Sequence, residues 1–317
     1  MSASRSLLPI RVPPPDHLLG WMVDSPSMQR LVTAWTWTLW VTIVLVTFPL
    51  VSVAWALTAP FDPGRYAPGR VFRWMGALGA RLNPWWRFHV TGVRPRDPRR
   101  PYVAVSNHES YADIFLLSHL PWEMKWLAKK TIFNIPVMGW IMRMVGDVPL
   151  VRGDRASAVG ALARCRDRLA KRASVMVFPE GSRSNTDDLL PFKNGAFALA
   201  IEAQAPILPI AVAGTRDCMA KHSFRVNRAV AACRVLPPID TAGLGPADVE
   251  ALRDHVRALI DAERRDLLAD LQAGRVTRDA MAAAPEPVSF AALLPTAAPA
   301  AAHAAAPAAV PSAGVVT

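Results

Sequence analysis

The chain of 317 residues is poor in cysteine, tyrosine and charge. It has three cysteines and three tyrosines, and 19% of its residues are charged, below the ~25% common in soluble domains. Three cysteines without metal-like spacing exclude a small disulfide scaffold and suit a reducing compartment. The hydrophobic fraction of 52% excludes a chain that is disordered throughout.

Acidic residues are scarcer than basic ones, 25 against 36, and the formal net charge is +11. Arginine dominates the cations, and its planar guanidinium binds phosphate oxygens through two hydrogen bonds. A basic, apolar chain is compatible with two classes of partner, nucleic acid or an anionic membrane with phosphorylated ligands. Composition does not distinguish these two classes of partner, and so we turn to the positions of the residues along the chain.

One segment, residues 31–61, has no charged side chain. As a helix, residues 31–57 would extend about 40 Å, more than the ~30 Å hydrocarbon layer of a bilayer. Pro49 permits a kink, and tryptophans lie toward both ends of the run, where indole rings favour the headgroup region. We therefore predict a membrane-embedded segment over residues 30–61, either a spanning transmembrane helix or an in-plane or re-entrant anchor.

The flanks of this segment predict its orientation. Nine arginines and two aspartates lie in residues 62–103, whereas few cations precede the run. The positive-inside rule then puts the bulk of the protein on the cytoplasmic side of the inner membrane. Residues 62–85 are expected to form a basic juxtamembrane segment that contacts anionic headgroups, at ~1 kcal/mol per cation near the surface.

The rest of the chain divides into a leader, a globular domain and a tail. Residues 1–29 predict a loose leader, and the alanine- and proline-rich residues 280–317 predict a disordered tail. Within residues 86–272, β-rich runs alternate with helical ones, which predicts an α/β fold with a mixed sheet flanked by helices. The predicted strands are 88–93, 103–106, 148–151, 175–178, 207–213 and 229–235. The predicted helices are 111–120, 137–145, 157–171, 195–203 and 246–272.

His108 and Asp113 follow the strand predicted at 103–106. Five positions separate them, a little more than one helical turn, so their side chains can meet. A carboxylate bonded to an imidazole fixes its tautomer and leaves the other ring nitrogen as a base. This composition yields about 0.4 such spacings by chance, however, so the pair alone does not distinguish a catalytic dyad from a solvated histidine and a capping aspartate.

A second predicted strand ends close to an arginine that could bind phosphate. The strand predicted at 175–178 runs into Gly181 and Arg183, and ligands bind at strand ends in α/β sheets. Gly181 permits close backbone approach, and Arg183 supplies a fork for phosphate. An ordinary turn explains this segment equally well.

Two further features follow the same layout. Residues 146–152 predict a strand that ends in Arg152, and residues 205–210 predict an apolar strand bounded by prolines. Lys193 lies between the second and the fourth of these features along the chain.

The order of these blocks resembles the 1-acyl-sn-glycerol-3-phosphate acyltransferase family of glycerolipid acyltransferases. The family's first block is an Asn-His pair followed by four residues and an aspartate, similar to Asn107-His108 and Asp113. Its later blocks are similar to residues 146–152, residues 178–183 and residues 206–209. The resemblance covers about residues 70–240.

The departures from the family pattern are small. Ser182 stands where the family's third block has threonine, which keeps the hydroxyl group. Pro149 is unusual in the second block and is expected to alter how Arg152 is presented. The segment that contains Lys129 and Lys130 also matches the family's linker.

The resemblance implies transfer of a fatty acyl group from acyl-CoA or acyl carrier protein to the sn-2 hydroxyl of 1-acyl-glycerol-3-phosphate, which makes phosphatidic acid. His108 would be the general base and Asp113 its orienting partner, with Asn107 in support. The oxyanion is expected to bind backbone N–H groups near this dyad. The expected partners are membrane lipids, the lysophosphatidic acid acceptor and the acyl donor, with no cofactor, no metal and no nucleic acid.

The resemblance also implies a substrate site for the acceptor phosphate. Its expected members are Arg152, Glu180, Gly181, Ser182, Arg183 and Lys193. A carboxylate repels phosphate, so Glu180 is expected to orient Arg183 or another donor rather than to touch the ligand. The chain has no Gly-x-Ser-x-Gly motif, and we expect direct transfer without an acyl-enzyme.

Three alternatives remain open at this point. The same chemistry could act on another lysolipid, such as a lyso-ornithine lipid. The dyad could instead activate water in a membrane-anchored thioesterase or hydrolase, and this would release free fatty acid without an acceptor. A non-catalytic basic membrane adaptor would not depend on His108.

Overall fold

The structure, a computed structural model, describes residues 25–290 except 185, 187, 221 and 222. Most of the predicted leader, and the predicted tail from residue 291 onward, lie outside the described residues. The described α-helices are α1 (Pro26–Thr58), α2 (Tyr66–Arg81), α3 (Ala112–Leu117), α4 (Met138–Val145), α5 (Arg155–Ala170), α6 (Gly195–Glu202), α7 (Thr215–Cys218) and α8 (Val249–Gln272). Short 3₁₀ helices are Lys130–Asn134 and Pro246–Asp248.

The strands form one mixed sheet. They are β1 (Trp86–Arg94), β2 (Val103–Ser106), β3 (Met124–Lys129), β4 (Val148–Leu150), β5 (Ser174–Val177), β6 (Ile207–Ala213), β7 (Ala229–Val235), β8 (Ile239–Asp240), β9 (Ala280–Ala283) and β10 (Val288–Ser289). The order is β4-β3-β5-β2-β6-β7-β1-β9, with β8 beside β6 and β10 beside β8. The five strands from β4 to β6 are parallel, and β7 is antiparallel to β6. The predicted mixed α/β sheet is confirmed.

Helices cover both faces of the sheet. In β2, Val103 and Val105 belong to a core with α5, α6 and α8, whereas Ala104 belongs to a second core with α3 and parts of α1 and α2. Strands β2, β5 and β6 are buried along their whole length, as continuous apolar runs in the centre of a parallel sheet should be. Their carboxyl ends meet at one edge of the sheet, which we call the site edge.

Strand β3 was absent from the sequence prediction because its charges conceal it. Lys125 is fully buried in this strand, and its ammonium group lies 3.1 Å from the Glu123 carboxylate. A buried charge pair looks polar in the sequence although it lies inside the protein. In β6, Pro209 lies inside the strand rather than at its end, and its carbonyl group accepts a hydrogen bond from the Leu236 N–H at 2.9 Å.

The prediction of disorder from residue 280 onward is wrong for residues 280–290. Strand β9 extends the sheet beside β1, and β10 pairs with β8. Phe290 is 1% exposed and belongs to the core beneath α8. Backbone pairing needs no particular side chain, so alanine-rich composition did not reveal these strands.

Helix α1 packs side-on along the domain. Near its start, the Gln29 amide donates to the Asn227 side chain at 2.7 Å. Further along, the ring of Trp40 stacks on Phe115 with centroids 4.4 Å apart, and Val51 is fully buried against α4. These contacts extend over about 33 Å of helix axis at 1.5 Å per residue.

The opposite side of α1 is apolar and exposed. Its exposed members include Leu31, Trp35, Val41, Leu45, Val46, Leu50, Val53 and Leu57. Length and composition allow this helix to cross a membrane. An apolar surface of this length on a folded domain marks a contact with lipid or protein.

The predicted basic segment, residues 62–85, forms helix α2 and uses part of its charge inside the protein. Arg73 is 5% exposed and donates to the Asp147 carboxylate at 2.5 Å. Arg70 donates to the carbonyl groups of Leu120 and Trp122. The prediction that this segment offers its arginines to lipid headgroups is therefore wrong for Arg73, because ion pairs with the buried carboxylates of Glu123 and Asp147 hold that side chain inside the protein.

Candidate active site

The predicted dyad is formed at the site edge. His108 follows β2, and Asp113 lies in the first turn of α3. The Nδ1 atom of His108 lies 2.7 Å from Oδ2 of Asp113. Because an ionised carboxylate only accepts hydrogen bonds, Nδ1 carries the proton and Nε2 is left as the basic nitrogen.

Asp113 is fully buried and held by four donors. Its Oδ2 also accepts from the backbone N–H groups of Glu109 at 2.8 Å and Ser110 at 3.0 Å. Its Oδ1 accepts from the hydroxyl of Thr215, which follows β6. The carboxylate is therefore fixed by two strand ends of the sheet.

The imidazole of His108 is held from a second direction. Its ring stacks on Phe178 with centroids 4.2 Å apart and an interplanar angle of 19°. Only 9% of the His108 side chain is exposed. Stacking together with the Asp113 bond fixes both the position and the plane of the ring.

Asn107 holds the same loop by its side chain. Its amide group donates to the carbonyl of Val212 at 2.9 Å, and its carbonyl oxygen accepts from the N–H of Val212 at 2.8 Å. The side chain thus continues the pairing of β2 with β6 past the end of β2. The supporting role that the sequence predicted for Asn107 stays a prediction.

Glu180 binds backbone groups. Its two carboxylate oxygens accept from the N–H of His108 at 2.7 Å and from the N–H of Leu190 at 3.0 Å. Burial raises the pKa of Glu180, and these two hydrogen bonds act to lower it. Glu180 was predicted to orient Arg183 or another donor, and the donors it orients are main-chain groups on either side of the site.

Two arginines lie around Tyr111, which is two residues before Asp113. The guanidinium of Arg183 lies 3.9 Å from the centre of the Tyr111 ring, a cation–π contact. Arg152 follows β4 in an exposed turn. Partial burial lowers the pKa of Arg152, while neighbouring Tyr111 acts to raise it and the charge of Arg183 to lower it. The two arginines predicted to bind phosphate are therefore neighbours around Tyr111.

Lys193 reaches the site over Gly181. Gly181 has a φ of +70°, and a Cβ at this position would lie 2.9 Å from Nζ of Lys193. Glycine is thus needed both for the backbone conformation and for the close approach of the lysine. Ser182, the next residue, is half-buried beside this contact.

The amides closest to the dyad are already engaged. The N–H of His108 donates to Glu180, and those of Glu109 and Ser110 donate to Asp113. These three amides hold the loop together, and the prediction that backbone N–H groups near the dyad bind the oxyanion, which named no particular groups, stays a prediction.

Sequence reasoning missed four contributors to the site. Thr215 is more than one hundred residues from Asp113, and the only signal for it was its location directly after an apolar strand. Tyr111 and Phe178 lie inside recognised blocks, but nothing in their spacing indicated stacking on Arg183 and His108. Glu109 is the fourth.

Glu109 is buried on the α8 side of the catalytic loop. Its carboxylate lies 3.5 Å from the guanidinium of Arg264 in α8. Burial, and secondly the charge of Asp113, raise the pKa of Glu109 to about 7, although Arg216 and Arg264 act to lower it. This residue therefore couples the catalytic loop to the C-terminal helix.

The three cysteines are buried, and Cys218 ends the short helix that begins with Thr215. Cys165, Cys218 and Cys233 are buried, and burial raises the pKa of each thiol, that of Cys165 to about 12. A thiol of this kind is a poor nucleophile at neutral pH. Over residues 25–290, with the four exceptions given above, no cluster of three or more His, Cys, Asp or Glu side chains has the arrangement of a metal site.

Known proteins are similar to this chain in sequence. The family profile described as Acyltransferase matches residues 87–213. A 1-acyl-sn-glycerol-3-phosphate acyltransferase alpha of Homo sapiens is 35% identical over 190 residues, 59% of this chain and 67% of the relative. The chloroplastic 1-acyl-sn-glycerol-3-phosphate acyltransferase BAT2 of Brassica napus is 48% identical over 139 residues, 44% of this chain and 40% of that protein.

A solved structure has the same fold. The crystal structure of the 1-acyl-sn-glycerophosphate (LPA) acyltransferase PlsC from Thermotoga maritima matches with a TM-score of 0.66 and 22% sequence identity. The match covers 75% of this chain and 95% of the other. The mixed sheet and its flanking helices thus form the same fold as that structure.

Proposed function

The chain belongs to the acyltransferase family of the 1-acyl-sn-glycerol-3-phosphate acyltransferases, and on this premise we propose that it acylates the sn-2 hydroxyl of 1-acyl-glycerol-3-phosphate. The product would be phosphatidic acid, a step of phospholipid biosynthesis. The observation that carries the proposal is the 2.7 Å contact between His108 and Asp113, together with the two arginines around Tyr111.

His108 acts as the general base. A lipid hydroxyl has a pKa far above 7 and needs a base that removes its proton as the new bond forms. Nε2 of His108 is available because Nδ1–H donates to Asp113. The buried carboxylate stabilises the imidazolium that results, as a fixed negative charge near a developing positive one.

The reaction is a direct transfer. The hydroxyl oxygen attacks the carbonyl carbon of the acyl thioester while His108 takes the proton. The tetrahedral intermediate then collapses, the carbon–sulfur bond breaks, and the imidazolium returns the proton to the leaving thiolate. The products are the new ester and the free thiol of coenzyme A or acyl carrier protein, and His108 is again neutral.

Arg152 and Arg183 bind the acceptor phosphate, and Lys193 adds a third cation. Guanidinium groups match phosphate oxygens bidentately, and the Tyr111 ring limits the orientations of the Arg183 guanidinium. The phosphate anchor sets the distance from the headgroup to the hydroxyl. In this way the sn-2 oxygen is brought to Nε2 of His108.

Helix α1 anchors the enzyme in the plane of the membrane. The domain packs beside α1 from Gln29 to Val51, so that a spanning α1 would carry the domain into the hydrocarbon layer. This supports the in-plane arrangement among those that the sequence left open, with the exposed apolar side of α1 toward lipid. The catalytic domain would then face the cytoplasm at the inner membrane, where the acyl donors are found.

The test is an acceptor panel with purified full-length protein. A long-chain acyl-CoA, or the same acyl group on acyl carrier protein, is supplied with lysophosphatidic acid, lysophosphatidylcholine or lyso-ornithine lipid. We expect thiol release that matches new ester only with lysophosphatidic acid, and loss of both in His108→Ala. The better of the two thioesters identifies the donor.

Other outcomes would support the alternatives. Preference for the phosphate-free lyso-ornithine lipid would overturn the proposed acceptor and keep the chemistry. Thiol release without any acceptor would indicate a thioesterase. Full activity of His108→Ala would overturn the role of the dyad.

A further inference from the structure

The segment between β3 and β4 forms an apolar projection of its own, separate from α1. It consists of residues 129–145, the 3₁₀ helix Lys130–Asn134 followed by α4. Ile135 and Trp140 project from it and are 52% and 51% exposed. We call residues 129–145 the β3–β4 projection.

The β3–β4 projection is a rigid scaffold. Phe133, one of its own residues, is buried. A Cβ at Gly139 would lie 2.0 Å from the carbonyl oxygen of Phe133. Val137 takes a left-handed φ of +62° where the chain turns into α4. Close packing of this kind holds two large apolar side chains outward instead of letting them fold onto the protein.

The exposed side of the projection continues that of α1. The ring of Trp140 lies 5.7 Å from that of Phe48 in α1, between centroids. On their buried sides the same two helices share the cluster of Val51, Ile141 and Val145. Both elements therefore present apolar side chains along one continuous surface.

The charge around this surface has one sign. Residues 124–146 contain no aspartate or glutamate, and their exposed cations are Lys129, Lys130 and Arg143. Exposed isoleucine and tryptophan bordered by lysine and arginine suit the interface of an anionic bilayer, where indole rings sit at the headgroups and cations bind phosphates.

The projection also adjoins the phosphate site. In the β3–β4 ladder Lys129 is paired with Leu150, two residues before Arg152. Cations thus follow one another from the bilayer-facing surface to the arginines that flank Tyr111. A phosphorylated lipid could pass along them without losing charge compensation.

We propose that the β3–β4 projection is a second lipid-contacting element, which inserts Ile135 and Trp140 among the headgroups of an anionic bilayer and leads the acceptor from there to Arg152. Its contact with the bilayer is independent of the reaction. The delivery of the acceptor rests on the proposed function.

The first experiment measures insertion. The full chain carries Ile135→Cys and an environment-sensitive fluorophore at position 135, since the native cysteines are buried. On vesicles of phosphatidylglycerol and phosphatidylcholine we expect a blue shift and increased emission. The matched control carries Ala269→Cys with the same fluorophore. Ala269 is exposed on α8, which covers the other face of the sheet from α1, and the emission there should not change on vesicles. Vesicle binding without a response at position 135 would overturn the proposal.

The second experiment measures affinity. Burial of apolar area predicts that Ile135→Asp with Trp140→Asp weakens vesicle binding at least about tenfold. Lys129→Ser with Lys130→Ser should weaken binding to anionic vesicles about 25-fold at low salt and not to neutral ones. The control is Lys171→Ser, an exposed lysine just before β5, at the opposite edge of the sheet, which should bind as the parent does.

A third measurement separates delivery from chemistry. The aspartate variants should acylate a dispersed short-chain acceptor at the parental rate and a vesicle-borne acceptor at least about fivefold more slowly. Equal losses on both acceptors would overturn delivery by this surface.

A parent protein that is inactive on both acceptors would refute the proposed function, while vesicle binding would still report on insertion. A change from dimer to monomer in these variants, with unchanged vesicle binding, would make the surface a contact between copies and overturn the proposal.

Discussion

The dyad and the cation cluster of this site are built in opposite ways. Asp113 is fully buried with every oxygen engaged, and His108 is held by a hydrogen bond and a stacked ring. Arg152 and Lys193, in contrast, are exposed at the mouth of the site.

The difference suits the role that we propose for each half. Proton transfer depends on distances near 2.7–3.0 Å, so the base must be fixed before the substrate arrives. A phosphate on a mobile lipid has to be captured from the bilayer, and exposed cations on flexible side chains can follow it. Substitutions in the buried half should therefore change kcat, and those in the exposed half should change KM.

The largest expected effect is in the buried half. His108→Ala removes the proposed base, and kcat should fall about a thousandfold while KM for lysophosphatidic acid stays within about twofold. Steady-state kinetics with thiol detection check this, with circular dichroism as the control for folding. If His108→Ala instead raised KM to a similar extent and left kcat unchanged, the two halves of the site would not differ in the way proposed.

The second effect belongs to the exposed half. Arg152→Ala with Arg183→Ala removes two charge-assisted hydrogen-bonding partners of the phosphate, and KM should rise about 100-fold with little change in kcat. The lysine pair at the same positions should recover part of the affinity, since a point charge replaces a fork. A drop in kcat with unchanged KM would speak against phosphate binding by these residues.

The third effect tests the buried half without substrate. The pKa of Glu109 is raised in the folded state to about 7, so the folded protein holds a proton that the unfolded chain releases at lower pH. The stabilisation is complete below the unfolded pKa of about 4.5 and is lost as the pH rises toward 7.

Glu109→Gln removes this titration. Between pH 5 and pH 8, the unfolding free energy of the variant should gain about 2.5 kcal/mol relative to the parent, as denaturant titration measures it. Parallel pH profiles for the two proteins would contradict the buried, protonated state of this carboxyl group.

The smallest effect refines the exposed half. Tyr111→Leu removes the ring under Arg183, and KM for lysophosphatidic acid should rise about threefold with kcat unchanged, in line with a cation–π contact at a half-exposed site. Tyr111→Phe keeps the ring and should retain the parental KM. Equal effects of both substitutions would assign the role to the hydroxyl group instead.

Local patterns made the central strands predictable from the sequence, and the order of the family's blocks singled out His108 and Asp113 from other pairs at this spacing. Continuous valine-rich runs mark β2 and β5, and residues at fixed short spacing, such as His108 and Asp113, meet across one turn. Contacts between distant parts of the chain were not predictable. Thr215 reaches Asp113 only because β6 lies beside β2, and buried pairs such as Lys125 with Glu123 disguise a core strand.

The path of α1 along the domain was not predictable either. Its apolar sequence predicts contact with lipid, yet one side of the helix is complementary to α2 and α4, and that pairing decides how the helix is oriented. Composition describes how apolar a helix is, but not which of its sides has a partner.

One measurement tests the division of the site most directly. It compares kcat/KM for lysophosphatidic acid and for the same glyceride without phosphate, in the parent, in Asp113→Asn and in Arg152→Ala with Arg183→Ala. We predict that Asp113→Asn slows both acceptors equally and keeps the parental preference for phosphate, whereas the arginine variant loses this preference. A phosphate preference that survives without both arginines, or disappears in Asp113→Asn, would contradict the account.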